Sequence, residues 1–302
     1  MKEQNFSNGP YLPVYFRANT AHRQIAITVD DCSHTGNLRR ILRIFGQYDA
    51  GLTLFPIGYT LADPDVADLI RDCVVKKGYE IENHTMNHAR IFRLPEDEMA
   101  REIWEQGQEL NRVLGVCYRQ HFFRLMGGDG IADLRIHSYL KQLGFQGIAQ
   151  WSFTGSHIDD PEEEIREHLY RGAILLFHTN EKDAEKLERF IPFALSRGYH
   201  LVTLNELLGF GANEMTAYRP ETMPEPEAYE EDWRTCAKGD YAWKICRMQT
   251  RLMDMNLLVI DGGKPTGYYG ELTRDAVKRF QEMQGLPATG VADAETQQAL
   301  LL

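Results

Sequence analysis

The chain has 302 residues, 43% hydrophobic and 25% charged, the proportions of an ordinary globular protein long enough for two domains. Its formal net charge of −11 argues against nucleic acid or an anionic lipid surface as the main partner. No stretch approaches the ~18 apolar residues of a membrane span. The start Met1-Lys2-Glu3-Gln4-Asn5-Phe6 has no apolar signal core, so either a leader was trimmed or the protein is not exported by that route.

From Gln24 to about Leu208, short apolar runs alternate with amphipathic segments. In chain order the pattern predicts a strand at Gln24–Val29, a helix at Leu38–Phe45, a strand at Leu52–Ile57 and a helix at Val66–Lys77. Weaker strand signals follow at Tyr79–Glu82 and His121–Arg124, on either side of a helix at Glu96–Leu114. A helix at Leu134–Leu143, a strand at Gly147–Trp151, a strand at Ala173–Phe177, a helix at Lys182–Ser196 and a strand at His200–Leu204 complete the series. Alternation of this kind implies an α/β fold of parallel strands with crossover helices. Six or seven such units suit an incomplete or distorted (β/α) barrel, in which chemistry sits at the carboxyl ends of strands.

Residues 1–212 are accordingly read as one domain. Residues 213–233 change character: Pro220, Pro224 and Pro226 sit among acidic residues with Arg219 as the opposing charge, which predicts an extended, solvated linker. Residues 234–302 form a third segment, a small three-helix bundle. Ile245, Met248, Leu252 and Met255 recur at helical spacing, as do Leu272, Ala276, Phe280 and Met283. Gly285-Leu286-Pro287 ends the second helix, and Asp293 caps a third at Ala294–Leu301. Cys32, Cys73 and Cys117 are expected as free thiols, whereas Cys236 and Cys246 are close enough in sequence to pair.

Three polar clusters carry the chemistry. Asp30-Asp31 follows the run Ile25-Ala26-Ile27-Thr28-Val29; His84-Thr85-Met86-Asn87-His88 follows the weak strand at Tyr79; His178 follows Ala173-Ile174-Leu175-Leu176-Phe177. Asp, His and His are ligands a catalytic zinc commonly uses, with an open position for water. The four-residue spacing of His84 and His88 would place both imidazoles on one face of a helical turn. Two adjacent carboxylates at a buried strand end repel unless a cation or a base role separates them, and a further Asp and His can move protons on either side of a water.

These clusters, together with Gly78-Tyr79-Glu80-Ile81-Glu82-Asn83 before His84 and the Leu-x-His pattern Leu176-Phe177-His178, resemble the polysaccharide deacetylases of the NodB-homology type, carbohydrate esterase family 4, over about residues 20 to 210. The resemblance implies that Asp31, His84 and His88 hold one divalent metal, Zn2+ first and Co2+ or Mn2+ as alternatives. It implies Asp30 as general base and His178 as the acid that protonates the leaving amine. Phe123-Arg124-Leu125-Met126-Gly127-Gly128 occupies the place of the family's Arg-x-Pro-x-Gly, with Met126 in place of Pro. Arg124 would then hold Asp30, and the Gly127 backbone N–H would be the oxyanion donor. Leu176 and Trp151 would line the acetyl pocket.

The family's fourth motif, Asp-x-x-Asp-Trp, is replaced by Ser152-Phe153-Thr154-Gly155-Ser156 after Trp151. The reading therefore expects His178 to lack its carboxylate partner and to titrate low, unless Asp159 or Asp160 folds back. The string Tyr269-Gly270-Glu271-Leu272-Thr273, Ala276-Val277, Phe280-Gln281, Gly285-Leu286-Pro287, Gly290 and Asp293 resembles the peptidoglycan-binding type 1 domain. The expected activity is metal-dependent N-deacetylation of a wall glycan, peptidoglycan or another N-acetylated glycan, in a wall-associated or secreted protein, with a cytoplasmic one not excluded. The alternatives are a weak or silent wall-binding protein and a deacylase for a different amide.

Overall fold

A computed structural model describes residues 10–155 and 169–302. The chain divides into two compact units, one of residues 13–130 with 139–226, the other of residues 10–12 with 131–138 and 227–302.

The first unit opens with β1 (Val14–Tyr15) and β2 (Gln24–Asp31), followed by α1 (Thr35–Tyr48), β3 (Thr53–Pro56) and α2 (Pro64–Asp72). Asp63 caps α2, its side chain accepting the Asp65 N–H, and Pro64 occupies the first turn, where no donor is lost. A wide turn over Cys73–Lys77 then stops at left-handed Gly78 and delivers the chain to β4 (Glu80–Ile81). The long helix α3 (Glu96–Leu114) carries three acids in its first turn, Arg112 in its last and left-handed Gly115 after it, each suited to its end of the helix dipole and backbone. Next come β5 (Val116–Tyr118), β6 (Phe122–Phe123), α4 (Leu134–Gln142), whose residues 134–138 belong to the other unit, β7 (Gly147–Ala149) and β8 (Phe153–Thr154). The unit closes with β9 (Ile174–His178), α5 (Glu181–Ser196), β10 (His200–Val202), α6 (Leu204–Leu208) and β11 (Met215–Ala217).

The central sheet is parallel. β2 pairs with β9 on one edge and with β3 and β10 on the other, β4 extends it beyond β3, and β8 lies beyond β9. A second parallel sheet, β1-β7-β6, is joined to it by bridges between Asn83 and Phe123 and, just beyond β1, between Arg17 and Ala173. The sheet does not close, so the architecture is an incomplete (β/α) barrel.

Alternation along the strands sorts the two faces. Ile25, Ile27 and Val29 of β2, with Leu175 and Phe177 of β9, pack under the helices, while Ala26 and Ile174 share the other face with Phe55, Phe122 and Ala149. Thr28, Asp30, Leu176 and His178 continue that second face at its carboxyl end.

The interior also holds a carboxylate that the strand signal Tyr79–Glu82 did not distinguish. Glu82, fully buried, accepts the backbone N–H groups of His121 and Phe122 at 2.8 Å and the Asn213 amide at 2.8 Å. It thereby fixes the start of β6. Glu82→Ala leaves two buried backbone donors unpaired, at about 1–3 kcal/mol each. An equilibrium urea titration should show a loss of about 2–5 kcal/mol; a loss below 0.5 kcal/mol would refute this account.

The 213–233 segment is extended and largely exposed, as its composition suggests, but it is tethered at several points. β11 pairs antiparallel with β5, and the Tyr139 hydroxyl and Gln142 amide donate to the carbonyls of Pro224 and Glu225. In the second unit Glu231 grips Arg247 through two bonds at 2.7 and 3.0 Å, and Asp232 pairs with Arg234 and Lys244. Glu231 and Asp232 are partnered, while Glu221, Glu225 and Glu230 stay exposed, so the segment is tethered at points along a largely solvent-facing path.

The second unit contains α7 (Trp243–Asp254), α8 (Glu271–Gln284) and α9 (Ala294–Leu301) around Ile245, Met248, Leu252, Tyr269, Ala276, Val277 and Phe280. The expected stripe on α8 is rotated: Leu272 and Met283 are 61% and 60% exposed, and Thr273, Val277 and Gln281 take the inner positions with Ala276 and Phe280. Buried glutamines explain the shift. Gln249 accepts from the N–H groups of Thr266 and Gly267 and donates to Tyr268, and Gln281 accepts from Gly290 and donates to Val291, so each adds side-chain bonds to a loop that backbone bonds from Ala242 to Gly267 and from Cys236 to Ala292 also hold. The Asp293 side chain caps α9 by accepting the Thr296 N–H. All five cysteines are free thiols, Cys236 and Cys246 included. No helix among the described residues is long and apolar enough to cross a membrane.

Candidate active site and metal centre

The site is assembled at the carboxyl ends of β2, β4, β6, β7 and β9. Asp30 stands opposite His178 in the β2–β9 register, so the two side chains leave the sheet on the same face. Strict alternation would send Asp31 to the other face. Its backbone instead turns left-handed, with φ 74°, and Cys32 follows at φ 56°. This break in the pleat brings the Asp31 carboxylate back beside Asp30. A left-handed backbone at two successive residues other than glycine is uncommon, and its concentration here marks a shaped site.

The histidines arrive by a loop, not the helical turn expected from their spacing. Residues 82–90 contain no helix, and Thr85 and His88 adopt φ 67° and 57°. Two left-handed residues fold the loop tightly enough to set the ring centres of His84 and His88 4.9 Å apart. Asn83 braces the bend: its Oδ1 accepts the Thr85 N–H, and its amide donates to Ile103 and Gln120. His84 Nδ1 lies 2.8 Å from the Arg124 carbonyl, which orients the ring and leaves Nε2 toward the aspartates. Burial lowers the His84 pKa, with Asp30 the largest opposing influence.

His84 Nε2 is 3.7 Å from Asp31 Oδ1, and His88 Nε2 is 3.6 Å from the same oxygen. That oxygen is buried and has no hydrogen-bond partner. A buried carboxylate oxygen facing two imidazole nitrogens, without a donor, is costly unless a cation lies among them. Asp31, His84 and His88 offer ligand atoms all within 4.8 Å of one another. The donor set is that of a catalytic zinc with one face open.

Asp30 is handled differently. It is 3% exposed, and the guanidinium of fully buried Arg124 donates to its Oδ1 and Oδ2 from Nη1 at 3.1 and 3.3 Å. Arg124 is itself clamped by the Ala149 carbonyl at 2.6 Å, the Thr28 hydroxyl at 3.2 Å, and the rings of Phe55 and Trp151. Burial pulls its pKa down, while Asp30 acts to keep it charged. Thr28 and Phe55 were not singled out in the sequence. Position 28 lies two residues before Asp30 on the same strand face, and that spacing is the signal that could have found it.

Gly127 is in the left-handed region, φ 60°, and Gly128 follows at 73°, so the loop after Arg124 depends on glycine for its tight fold. A Cβ at Gly128 would meet the Gln150 side chain at 2.8 Å and the Trp151 ring at 3.3 Å, which places Trp151 against this loop. Leu176 is buried two residues before His178, on the same strand face.

His178 does have a carboxylate partner. Asp183 Oδ2 accepts the His178 backbone N–H at 2.8 Å and lies 3.5 Å from its Nδ1. The expectation of an unpartnered, low-titrating His178 is therefore overturned. Its pKa is raised, first by the bond to Asp183, with burial opposing and Asp30 adding to the rise. Asp159 and Asp160, the residues considered for this part, lie outside the described residues. The available signal was Asn180-x-x-Asp183, a helix cap with an acid at the third helical position just after the strand-ending histidine.

Comparison with known proteins agrees with this geometry. Residues 17–148 match the polysaccharide deacetylase family. The larger unit is a polysaccharide deacetylase domain. Residues 244–300 match the peptidoglycan binding domain. Among curated relatives, a peptidoglycan-N-acetylglucosamine deacetylase of Bacillus cereus is 29% identical over 62% of this chain and 88% of its own length. Among solved structures, the chitin deacetylase of Colletotrichum lindemuthianum is 20% identical with a TM-score of 0.60 over 68% of this chain and 96% of that one. A family 4 pseudoenzyme from Bacillus anthracis is 18% identical with a TM-score of 0.56, over 64% and 68%. The deacetylase fold is thus shared by proteins with and without turnover, and the side chains of this domain have to decide the matter.

Proposed function

We propose that the chain hydrolyses N-acetyl groups of a cell-wall glycan, peptidoglycan first, and releases acetate. The observation that carries this reading is the orphaned, buried Asp31 Oδ1 between His84 and His88, set beside an Asp30 that Arg124 holds for a separate role. Asp31, His84 and His88 would hold the metal, zinc by their donor chemistry. A bound zinc supplies Lewis-acid polarisation and lowers the pKa of water toward ~7.

The remaining steps fall to the chain. Asp30 takes a proton from the attacking water as its oxygen bonds to the amide carbon, and Arg124 keeps the carboxylate aimed. The Gly127 N–H donates to the oxyanion that forms. His178 gives its proton to the nitrogen as the carbon–nitrogen bond breaks, leaving a free amine and acetate. Leu176 and Trp151 provide an apolar wall for the methyl group. The peptidoglycan-binding unit raises the local concentration of substrate by tethering, in a wall-associated protein.

The raised pKa of His178 has a kinetic consequence. The acid must be protonated, so activity falls as pH rises through its pKa. Asp183 raises that value, so the basic limb of kcat/KM should lie above about 6.5, the ordinary histidine value. A pH–rate profile whose basic limb lies below it would contradict the assignment.

The direct test is acetate release from purified peptidoglycan and from chitin oligomers, with added zinc and after chelation. Zinc-dependent release from either glycan supports the proposal. Absence of release from both with zinc bound would favour a silent wall-binding protein.

A further inference from the structure

We infer that Asp183 is the positioning carboxylate of His178, supplied by the first turn of α5 in place of the fourth-motif acid that this chain lacks; the inference rests on the deacetylase reading above. The connection from β9 is short. His178 ends the strand, and Asn180 caps α5 with its Oδ1 accepting the Asp183 N–H at 2.9 Å. That cap sets Asp183 at the third helical position, from which its side chain reaches back to the strand end.

There a single oxygen, Oδ2, faces both polar groups of one residue: the His178 backbone N–H at 2.8 Å and its ring Nδ1 at 3.5 Å. Asp183 is 1% exposed, so it must find donors within the protein, and His178 provides them. The backbone bond fixes where the ring starts, and the ring contact selects Nδ1 as the protonated nitrogen. Nε2 is then the atom available to exchange a proton with substrate. Separations of this order often tighten only when substrate is bound.

A histidine held by a carboxylate from its own succeeding helix needs nothing from the loop after β8. Sequence change in Ser152–Ser156 therefore leaves the acid intact and frees that loop to alter what surrounds the substrate.

The test uses the full chain loaded with zinc and compares wild type with Asp183→Asn. Asparagine keeps an acceptor for the His178 N–H and preserves the helix turn, so a purely structural role survives the change. Two readouts separate the roles: kcat against KM for acetate release, and the ring 15N and 1H resonances of His178. The expected result is a kcat lower by about 10–100-fold with KM and zinc affinity within twofold of wild type, and loss of a hydrogen-bonded Nδ1–H signal that wild type shows. Wild-type kcat and an unchanged ring spectrum in Asp183→Asn would overturn the inference. The wild-type spectrum decides independently of the variant's folding, because a His178 ring protonated only at Nε2 excludes the pairing. Failure of wild type to release acetate from any glycan would instead overturn the deacetylase reading, and the spectrum would still accept or reject the pair.

Discussion

Asp30→Asn is expected to lower kcat for acetate release by about 10²–10⁴-fold with little change in KM, the range that removal of a general base produces. Asparagine is the informative replacement because of what surrounds the carboxylate. Arg124 is fully buried and aims Nη1 at both Asp30 oxygens, so Asp30→Ala would leave an uncompensated buried charge. That costs about 3–5 kcal/mol and confuses loss of folding with loss of chemistry. Asparagine also removes the counter-charge of Arg124, but it retains an acceptor oxygen and the same volume, so less of the structure is lost, and it has no basicity to take a proton from water. Stopped assays on peptidoglycan and chitin oligomers, with circular dichroism to confirm folding, measure the effect. A folded Asp30→Asn protein with wild-type kcat would eliminate Asp30 as base. His178→Ala should be similarly depressed, since the amine would leave without a proton donor.

The second large effect concerns the metal. Wild type should bind one zinc equivalent, and Asp31→Asn or His84→Ala should each weaken binding by more than about 100-fold, beyond the loss expected for an outer partner of a ligand. The geometry makes Asp31→Asn a clean change. Asp31 holds φ 74°, a conformation that asparagine tolerates about as well as aspartate, so the backbone break after β2 survives. What disappears is the negative charge that His84 Nε2 and His88 Nε2 face at 3.7 and 3.6 Å. Competition against a chromophoric chelator at fixed pH gives the affinities. Unchanged affinity in both variants would place the metal elsewhere. Gly127→Ala tests the neighbouring loop, but its left-handed backbone would itself be strained, so this change cannot isolate the donor.

The sequence by itself determined the main strands and helices and where the polar clusters fall along them, because both are written in short-range patterns; the roles of those clusters are what the family resemblance implies. Apolar runs that end in a polar cluster mark strand ends, and Gln24–Asp31 and Ile174–His178 lie where those runs put them. Helix α3 was legible from end to end, Glu96 to Leu114, from its periodicity. The split face of β2 follows from alternation, which is a property of any strand. Tertiary structure decided what depends on which distant groups meet. The spacing of His84 and His88 fits a helix equally well, and only the Asn83 brace and the Arg124 carbonyl select a left-handed loop. The acidic 213–233 segment reads as solvated and is largely exposed, but its composition does not show that Glu231 finds Arg247 or that β11 finds β5. The family resemblance points to the segment after β8 for the partner of His178, but Asp183 reaches it because a capped helix start folds back on the strand it follows. Local propensity fixes the direction in which a chain runs; a buried charge settles on whichever partner the packed elements bring within reach.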